Sequence, residues 1–210
     1  MKQVLVVEDH AIVRAGIRRL LDERGDVEVL EAATGETALE EIAGRGPFAL
    51  VILDLNLPGL AGLELLRRIV RQAPAAPVLV FSQHTEAIYA TRALETGARG
   101  FVSKNATPEE LLEAVETILN GGVAIEKDVA AEMAAHDLAE DAYLRPLTER
   151  DLEILRLLSA GDSLSEIADK LGIAYKTVAN TLSRIKEKLG VGQTSELIRI
   201  AVGRGLADRV

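Results

Sequence analysis

Between residues 3 and 104, five short runs of apolar, largely β-branched residues alternate with longer amphipathic stretches, and this alternation constrains the fold more than any other feature. The runs fall at residues 4–7, 27–30, 50–53, 78–81 and 100–102. They are mostly apolar on both faces, as strands covered from both sides are. The stretches at 11–24, 36–43, 60–72, 86–96 and 108–119 carry helical periodicity. Strand then helix, five times over, predicts an α/β domain: a doubly wound, five-stranded parallel sheet with helices on both faces. The punctuation agrees. Gly25 and Gly44 follow helices, Thr34 and Thr107 stand at N-cap positions, and Pro108 suits a first helical position.

Asn120-Gly121-Gly122 ends the pattern. Residues 121–144 are rich in alanine and acidic side chains and predict a linker with a short helix around 127–138. From Leu147 onward no strand-like run occurs. Four short helices are expected at 149–159, 165–171, 176–189 and 195–204, with Gly161, Gly172 and Gly190 at their turns. The chain therefore divides into a first domain over 1–120, a linker over 121–144 and a small all-α domain over 145–210, the last large enough to fold alone. Charge divides the same way. Residues 1–144 hold 13 Lys and Arg against 24 Asp and Glu, whereas 145–210 hold 11 against 9, so the net charge of −9 belongs to the first part.

Composition removes several chemistries. Without cysteine there are no disulfides, thiolate nucleophiles, Cys-type zinc sites or iron–sulfur clusters. His10, His84 and His136 are scattered without metal-ligand spacing, so any metal is expected to sit on oxygen. The apolar runs are far shorter than a bilayer span requires, and Glu8-Asp9 interrupts the first run where a signal peptide needs a longer one. A cytoplasmic protein with no membrane partner is the expectation.

Ligands of a doubly wound sheet bind outside the carboxyl ends of its strands. Glu8 and Asp9 end the first strand, Asp54 the third and Ser82 the fourth, while Lys104 lies just past the fifth. Three converging carboxylates repel, and a hard cation such as Mg²⁺ relieves them. A lysine on the same rim offsets further negative charge, as if an anionic group comes and goes, and a hydroxyl can donate to that group. A lone acid after a strand is more often a helix cap, and Asp9 alone could cap the helix near Ala11. Five suitable groups at the ends of four strands weigh against that bland account.

These residues lie within Val-Val-Glu8-Asp9, Leu-Asp54-Leu-Asn56-Leu-Pro58-Gly59, Phe-Ser82 and Phe101-Val-Ser-Lys104, a set whose order and spacing over residues 3–119 resemble two-component response-regulator receiver domains. The resemblance implies that Asp54 accepts a phosphoryl group from a histidine kinase. It implies that Glu8, Asp9, Asp54 and the Asn56 carbonyl hold Mg²⁺, that Lys104 pairs with the phosphoryl oxygens, and that Ser82 and Phe101 form the switch. Gln83 departs from the small residue usual after that hydroxyl. The first-strand Asp-x-Asp of haloacid-dehalogenase-type phosphatases is absent, as are the G-x-x-x-x-G-K-[ST] and G-x-G-x-x-G loops, and no enzyme is expected.

In the tail, Ser165 to Val178 reads as helix, Gly-containing turn, helix, the layout of a helix-turn-helix. On the second helix Val178, Leu182, Ile185 and Leu189 share one face. The other carries Lys176, Thr177, Asn180, Ser183, Arg184 and Lys188, the candidate DNA contacts: cations suit phosphates and Asn can pair with adenine. Leu147-Thr-Glu-Arg-Asp-Leu-Glu-Ile-Leu, Glu166-Ile-Ala, Leu171-Gly-Ile, Thr177-Val178 and Ile185-Lys-Glu-Lys188-Leu189-Gly-Val resemble the LuxR-type DNA-binding domain over 145–206. Joined to a receiver, this is the NarL/FixJ layout, which implies a phosphorylation-controlled transcriptional regulator that acts as a homodimer. Ala179, Thr181 and Thr194 depart from the pattern, removing two cations from expected contact positions. The alternative is a signalling adaptor whose tail binds protein.

Overall fold

The computed structural model describes residues 1–57, 59–60, 62–83, 87–135, 144, 146–204 and 206. Pro58, His84, His136, the Glu86 start expected for the fourth helix and residues 136–138 of the expected linker helix lie outside them. Contacts divide the chain into one unit over Met1–Ala135 and another over His136–Val210.

The first unit is a parallel sheet of β1 (Lys2–Val7), β2 (Val27–Ala32), β3 (Leu50–Leu53), β4 (Val78–Ser82), β5 (Gly100–Ser103) and β6 (Ala124–Ile125), ordered β2-β1-β3-β4-β5-β6. Between the strands run α1 (Ala11–Asp22), α2 (Gly35–Arg45), α3 (Gly62–Gln72), α4 (Ala87–Thr96) and α5 (Pro108–Leu119). Alternation along β1 sends Val4 and Val6 into a core closed by Ile17 and Leu21 of α1 and by Leu111, Val115 and Ile118 of α5. On the other face α3 packs between α2 and α4. The caps lie where the sequence puts them: Thr34 and Thr107 each accept from an N3 backbone N–H, and Pro108 opens α5.

Two expectations change. The sheet has six strands rather than five, and residues 121–135, taken as linker, belong to the first unit. β6 pairs parallel with β5, and helix α6 (Lys127–Ala135) packs against α4 with Val129 buried. A two-residue strand is too short to show a period, so only its ladder bonds, Ala124 N–H to the Arg99 carbonyl and Glu126 N–H to the Phe101 carbonyl, reveal it.

In the second unit the described helices are α7 (Glu149–Ser159), α8 (Leu164–Lys170), α9 (Tyr175–Leu189) and α10 (Thr194–Gly203). Each lies within one residue of its expected ends. Val178, Leu182, Ile185 and Leu189 are all buried, joined by Leu152, Leu155, Ile167 and Leu197. Gly190 ends α9 in the left-handed region, φ 66°, a conformation that disfavours a Cβ.

Candidate functional site

The carboxyl ends of β1, β3, β4 and β5 bring Glu8, Asp9, Asp54, Ser82 and Lys104 to one rim, next to the β1/β3 neighbours between which strand order reverses. Glu8, Asp54 and Ser82 are buried, Asp9 is partly exposed, and the Lys104 side chain is 10% exposed. The Lys104 ammonium donates to Asp54 Oδ2 at 2.7 Å and lies 2.6 Å from Glu8 Oε2. The Asn56 backbone N–H donates to Asp54 Oδ1 at 3.0 Å. Lys104 is itself placed by its backbone N–H, which donates to the Ser82 carbonyl at 2.7 Å. Asp9 does not cap α1: the N-cap residue is His10, without a side-chain cap bond. Phe101 lies fully inside, on β5 between Val80 and Ile125.

Burial pushes the Asp54 carboxyl above its ordinary range, against the Asn56 N–H and Lys104, with the Glu8 charge adding to the upward push. For Lys104 burial acts downward, yet the bonds to Asp54 and Glu8 more than offset it and hold the ammonium above its usual value. Both members of one pair thus shift upward, Asp54 through burial and Lys104 because it pairs with Asp54 and Glu8 together. The excess negative charge is what a divalent cation would neutralise. Asp9 Oδ1 is buried, with His10 Nδ1 beside it at 2.9 Å. The oxygen-rich donor set fits Mg²⁺.

Sequence reasoning missed two groups here. His10 Nδ1 lies 3.0 Å from Glu8 Oε1 and 2.9 Å from Asp9 Oδ1, and with Glu8, Asp9 and Asp54 it forms a cluster whose ligand-capable atoms lie within 4.8 Å of one another. The β1–α1 turn folds residue 10 back over residues 8 and 9, which sets this nitrogen beside the oxygen donors. The Glu8 hydrogen bond, then the Asp9 charge, raise the imidazole pKa. Arg14 of α1 donates to the carbonyls of Glu8, at 2.7 Å, and Asp9, at 3.3 Å, and pairs with Glu31 of β2 at 3.0 Å. It fixes the turn that carries both carboxylates, a role no local motif announces.

In the second unit α8, a turn with Gly172 at φ 61° and α9 form the expected helix-turn-helix. Lys176, Thr177, Asn180, Ser183 and Arg184 are exposed on α9, with Glu187 on the same face. The Ser183 hydroxyl donates to the Ala179 carbonyl. Two of the expected free cations are engaged. Arg184 Nη2 donates to Asp151 Oδ1 at 3.1 Å and Lys188 Nζ to Asp151 Oδ2 at 2.5 Å, while Asp151 is wholly buried. The pairing spans 33 and 37 residues, so helical spacing within α9 could not show it. Thr148-x-x-Asp151 signals a capping box, which is present, but not the ion pairs.

Residues 4–116 match the response regulator receiver domain, and residues 145–201 match the luxR family of bacterial regulatory proteins. The chain belongs to the NarL/FixJ-type response regulators. It is similar over nearly its whole length to curated relatives: the transcriptional activator protein ExaE of Pseudomonas putida is 39% identical over 208 residues, covering 97% of each chain. The transcriptional regulatory protein UhpA of Salmonella typhimurium is 37% identical, covering 94% of this chain and 96% of its own. Among solved structures, RcsB of Salmonella enterica serovar Typhimurium, bound to promoter rprA in the presence of phosphomimetic BeF3−, aligns with TM-score 0.58 and 26% identity over 95% of this regulator and 98% of RcsB. The LuxR-type match over the tail disfavours the adaptor alternative. No described helix is long and apolar enough to cross a membrane.

Proposed function

We propose that this regulator receives a phosphoryl group on Asp54 from a histidine kinase and, as a homodimer in the cytoplasm, carries the signal to DNA through α9. The chain is a transcriptional regulator of the response-regulator family, with a DNA-binding second domain. The observation that carries the phosphoacceptor assignment is the buried Asp54 carboxylate at the end of β3, held between the Asn56 N–H and the Lys104 ammonium.

A carboxylate attacks an anionic phosphoryl donor only when cations screen both. Glu8, Asp9, Asp54 and the Asn56 carbonyl would hold Mg²⁺, which supplies that screening when bound. Lys104 starts on Glu8 and Asp54. Once an Asp54 oxygen bonds to phosphorus and the phosphorus–nitrogen bond of the donor breaks, Lys104 can move its hydrogen bond to a phosphoryl oxygen. Ser82, which ends β4 beside Ser103, would donate to the same group, and Phe101 on β5 would respond. The domain supplies positions and charge, the donor supplies the free energy, and the site is an acceptor rather than an enzyme turning over substrate.

On the DNA side Lys176 is assigned to phosphate, with Thr177 and Ser183 beside it and Asn180 as the base reader; Arg184 and Lys188 contribute only what Asp151 leaves them. One tail with so few cations binds weakly, whereas two in a dimer gain from effective concentration. A dimer neutralising roughly two to four phosphates per tail has a log–log salt slope on the order of −4 to −7. The test uses Mg²⁺ and a small phosphodonor such as acetyl phosphate. One acid-labile phosphoryl group per chain is expected, lost in Asp54→Asn, together with dimer formation and salt-sensitive selection of paired half-sites from random DNA. Undiminished labelling of Asp54→Asn overturns the acceptor assignment. A phosphorylated dimer that selects no DNA overturns the assignment of α9.

A further inference from the structure

The turn carrying Lys104 is gripped from two sides. On the β4 side the Lys104 N–H donates to the Ser82 carbonyl at 2.7 Å. On the other side β6 stops after two residues, and the next donor of β5, the Ser103 N–H, meets a side chain rather than a backbone carbonyl: it donates to Glu126 Oε2 at 2.6 Å. The Ser103 hydroxyl is 3.4 Å from Glu126 Oε1 and accepts from the Asn105 N–H at 3.1 Å, so the carboxylate organises residues 103–105 as a group. Ser103 is 1% exposed. A carboxylate on a buried peptide N–H makes a charge-assisted bond, roughly twice as strong as a neutral one.

Glu126 also belongs to the segment that leaves the receiver. Its own N–H donates to the Phe101 carbonyl at 3.0 Å, and its carbonyl accepts from Ala130 in the first turn of α6. Helix α6 in turn packs on α4 and β5. One residue thus holds, through its side chain, the backbone immediately before Lys104 and, through its own backbone, Phe101 and the first turn of the helix that ends the unit. We propose that Glu126 is a positioning residue for Lys104 and the link through which a phosphoryl group on Asp54 is felt by α6. The proposal rests on Asp54 being the phosphoacceptor. When Lys104 leaves Glu8 and Asp54 for a phosphoryl oxygen, the 103–105 turn must follow its side chain, and Glu126 carries that movement to the N-terminus of α6. The pull acts at a helix end, where intrahelical bonds are fewest.

The test uses the full chain with Mg²⁺ and beryllofluoride as the phosphoryl analogue, in wild type, Glu126→Ala and Glu126→Gln. Hydrogen exchange is followed at the amides of 127–135, and beryllofluoride affinity is measured by titration calorimetry. In wild type, loading is expected to change exchange across α6. In Glu126→Ala affinity should fall by about fivefold to tenfold, the scale of one charge-assisted bond partly transmitted, and the exchange response of α6 should disappear. Glu126→Gln keeps a carbonyl for the Ser103 N–H and should recover part of both. Mg²⁺ affinity should not fall in either variant, because Lys104 competes with the cation for Glu8 and Asp54; general damage to the site would weaken both ligands. An α6 response in Glu126→Ala equal to wild type overturns the link, and unchanged beryllofluoride affinity overturns the positioning role. Failure of wild type to bind beryllofluoride, with Asp54→Asn indistinguishable from it, instead overturns the acceptor assignment and this proposal with it.

Discussion

Replacing Asp151 by Asn leaves the shape of the side chain and removes its charge, which isolates what the buried carboxylate does for the helix-turn-helix. It accepts from the Thr148 N–H at 2.9 Å, from Arg184 at 3.1 Å and from Lys188 at 2.5 Å. The Thr148 bond is half of a capping box and contributes about 0.5–1 kcal/mol. Bonds to buried charges contribute about 1.5–3 kcal/mol each. Here Arg184 is 56% exposed and Lys188 25% exposed, so water screens both cations and each share drops to about 0.5–1.5 kcal/mol. Asp151→Asn should therefore destabilise the second unit by about 1.5–4 kcal/mol, or on the order of 6–30 °C at about 4–8 °C per kcal/mol for a domain of this size. Calorimetry of the full chain reads this directly, with the receiver transition as internal control. Burial pushes the Asp151 carboxyl up, but the bonds from Lys188, Thr148 and Arg184 together bring it below its ordinary range. A depressed acid contributes stability above its unfolded pKa and loses it as pH falls through the folded value, so the two proteins should converge below about pH 4. Equal midpoints at pH 7, or a gap unchanged at pH 3, would refute the reasoning.

Asp54 has the opposite sign. Its pKa is raised, so its contribution is most favourable below the unfolded pKa and is lost as pH rises through the folded one; Asp54→Asn should melt above wild type at pH 7 without Mg²⁺, and chemical denaturation across pH shows the difference closing in acid. Asp9→Ala should lower Mg²⁺ affinity by more than about tenfold, a loss that even outer partners of a metal produce; titration calorimetry checks it. Lys176→Ala should flatten the DNA salt slope by about one unit, whereas Lys188→Ala should lower the midpoint of the second unit and leave the slope nearly unchanged. Asn180→Ala should cost about 1–3 kcal/mol on the preferred operator and little on random DNA, measured by competition binding.

The alternation of apolar runs and amphipathic stretches made the first five strands and their order of use legible, because a buried parallel strand and an amphipathic helix each impose a period on the sequence. Thr34, Thr107 and Pro108 marked helix ends for local reasons and lie where expected. β6 was not legible: two residues carry no period, and Gly121-Gly122 before it reads as a break. The rim residues were found because the carboxyl-end rule converts strand order into proximity. His10 was missed because the rule selects types, carboxylate, hydroxyl and amine, and a histidine one residue further along has no spacing of its own to betray it.

The residues that sequence could not place share one property: each acts on a functional side chain through the backbone or through an ion pair formed across the fold. Arg14 fixes the carbonyls of Glu8 and Asp9, Glu126 fixes the N–H before Lys104, and Asp151 draws in two cations of α9. Periodicity assigns faces, and a face assignment left Arg184 and Lys188 free for phosphate. Buried Asp151 changes that balance. With Ala179 and Thr194 already lacking charge, the proposed reading of α9 predicts weak DNA binding by a single helix-turn-helix. On that reading two tails bind together, and dimer formation is the step at which phosphorylation of Asp54 is expected to control the affinity for DNA.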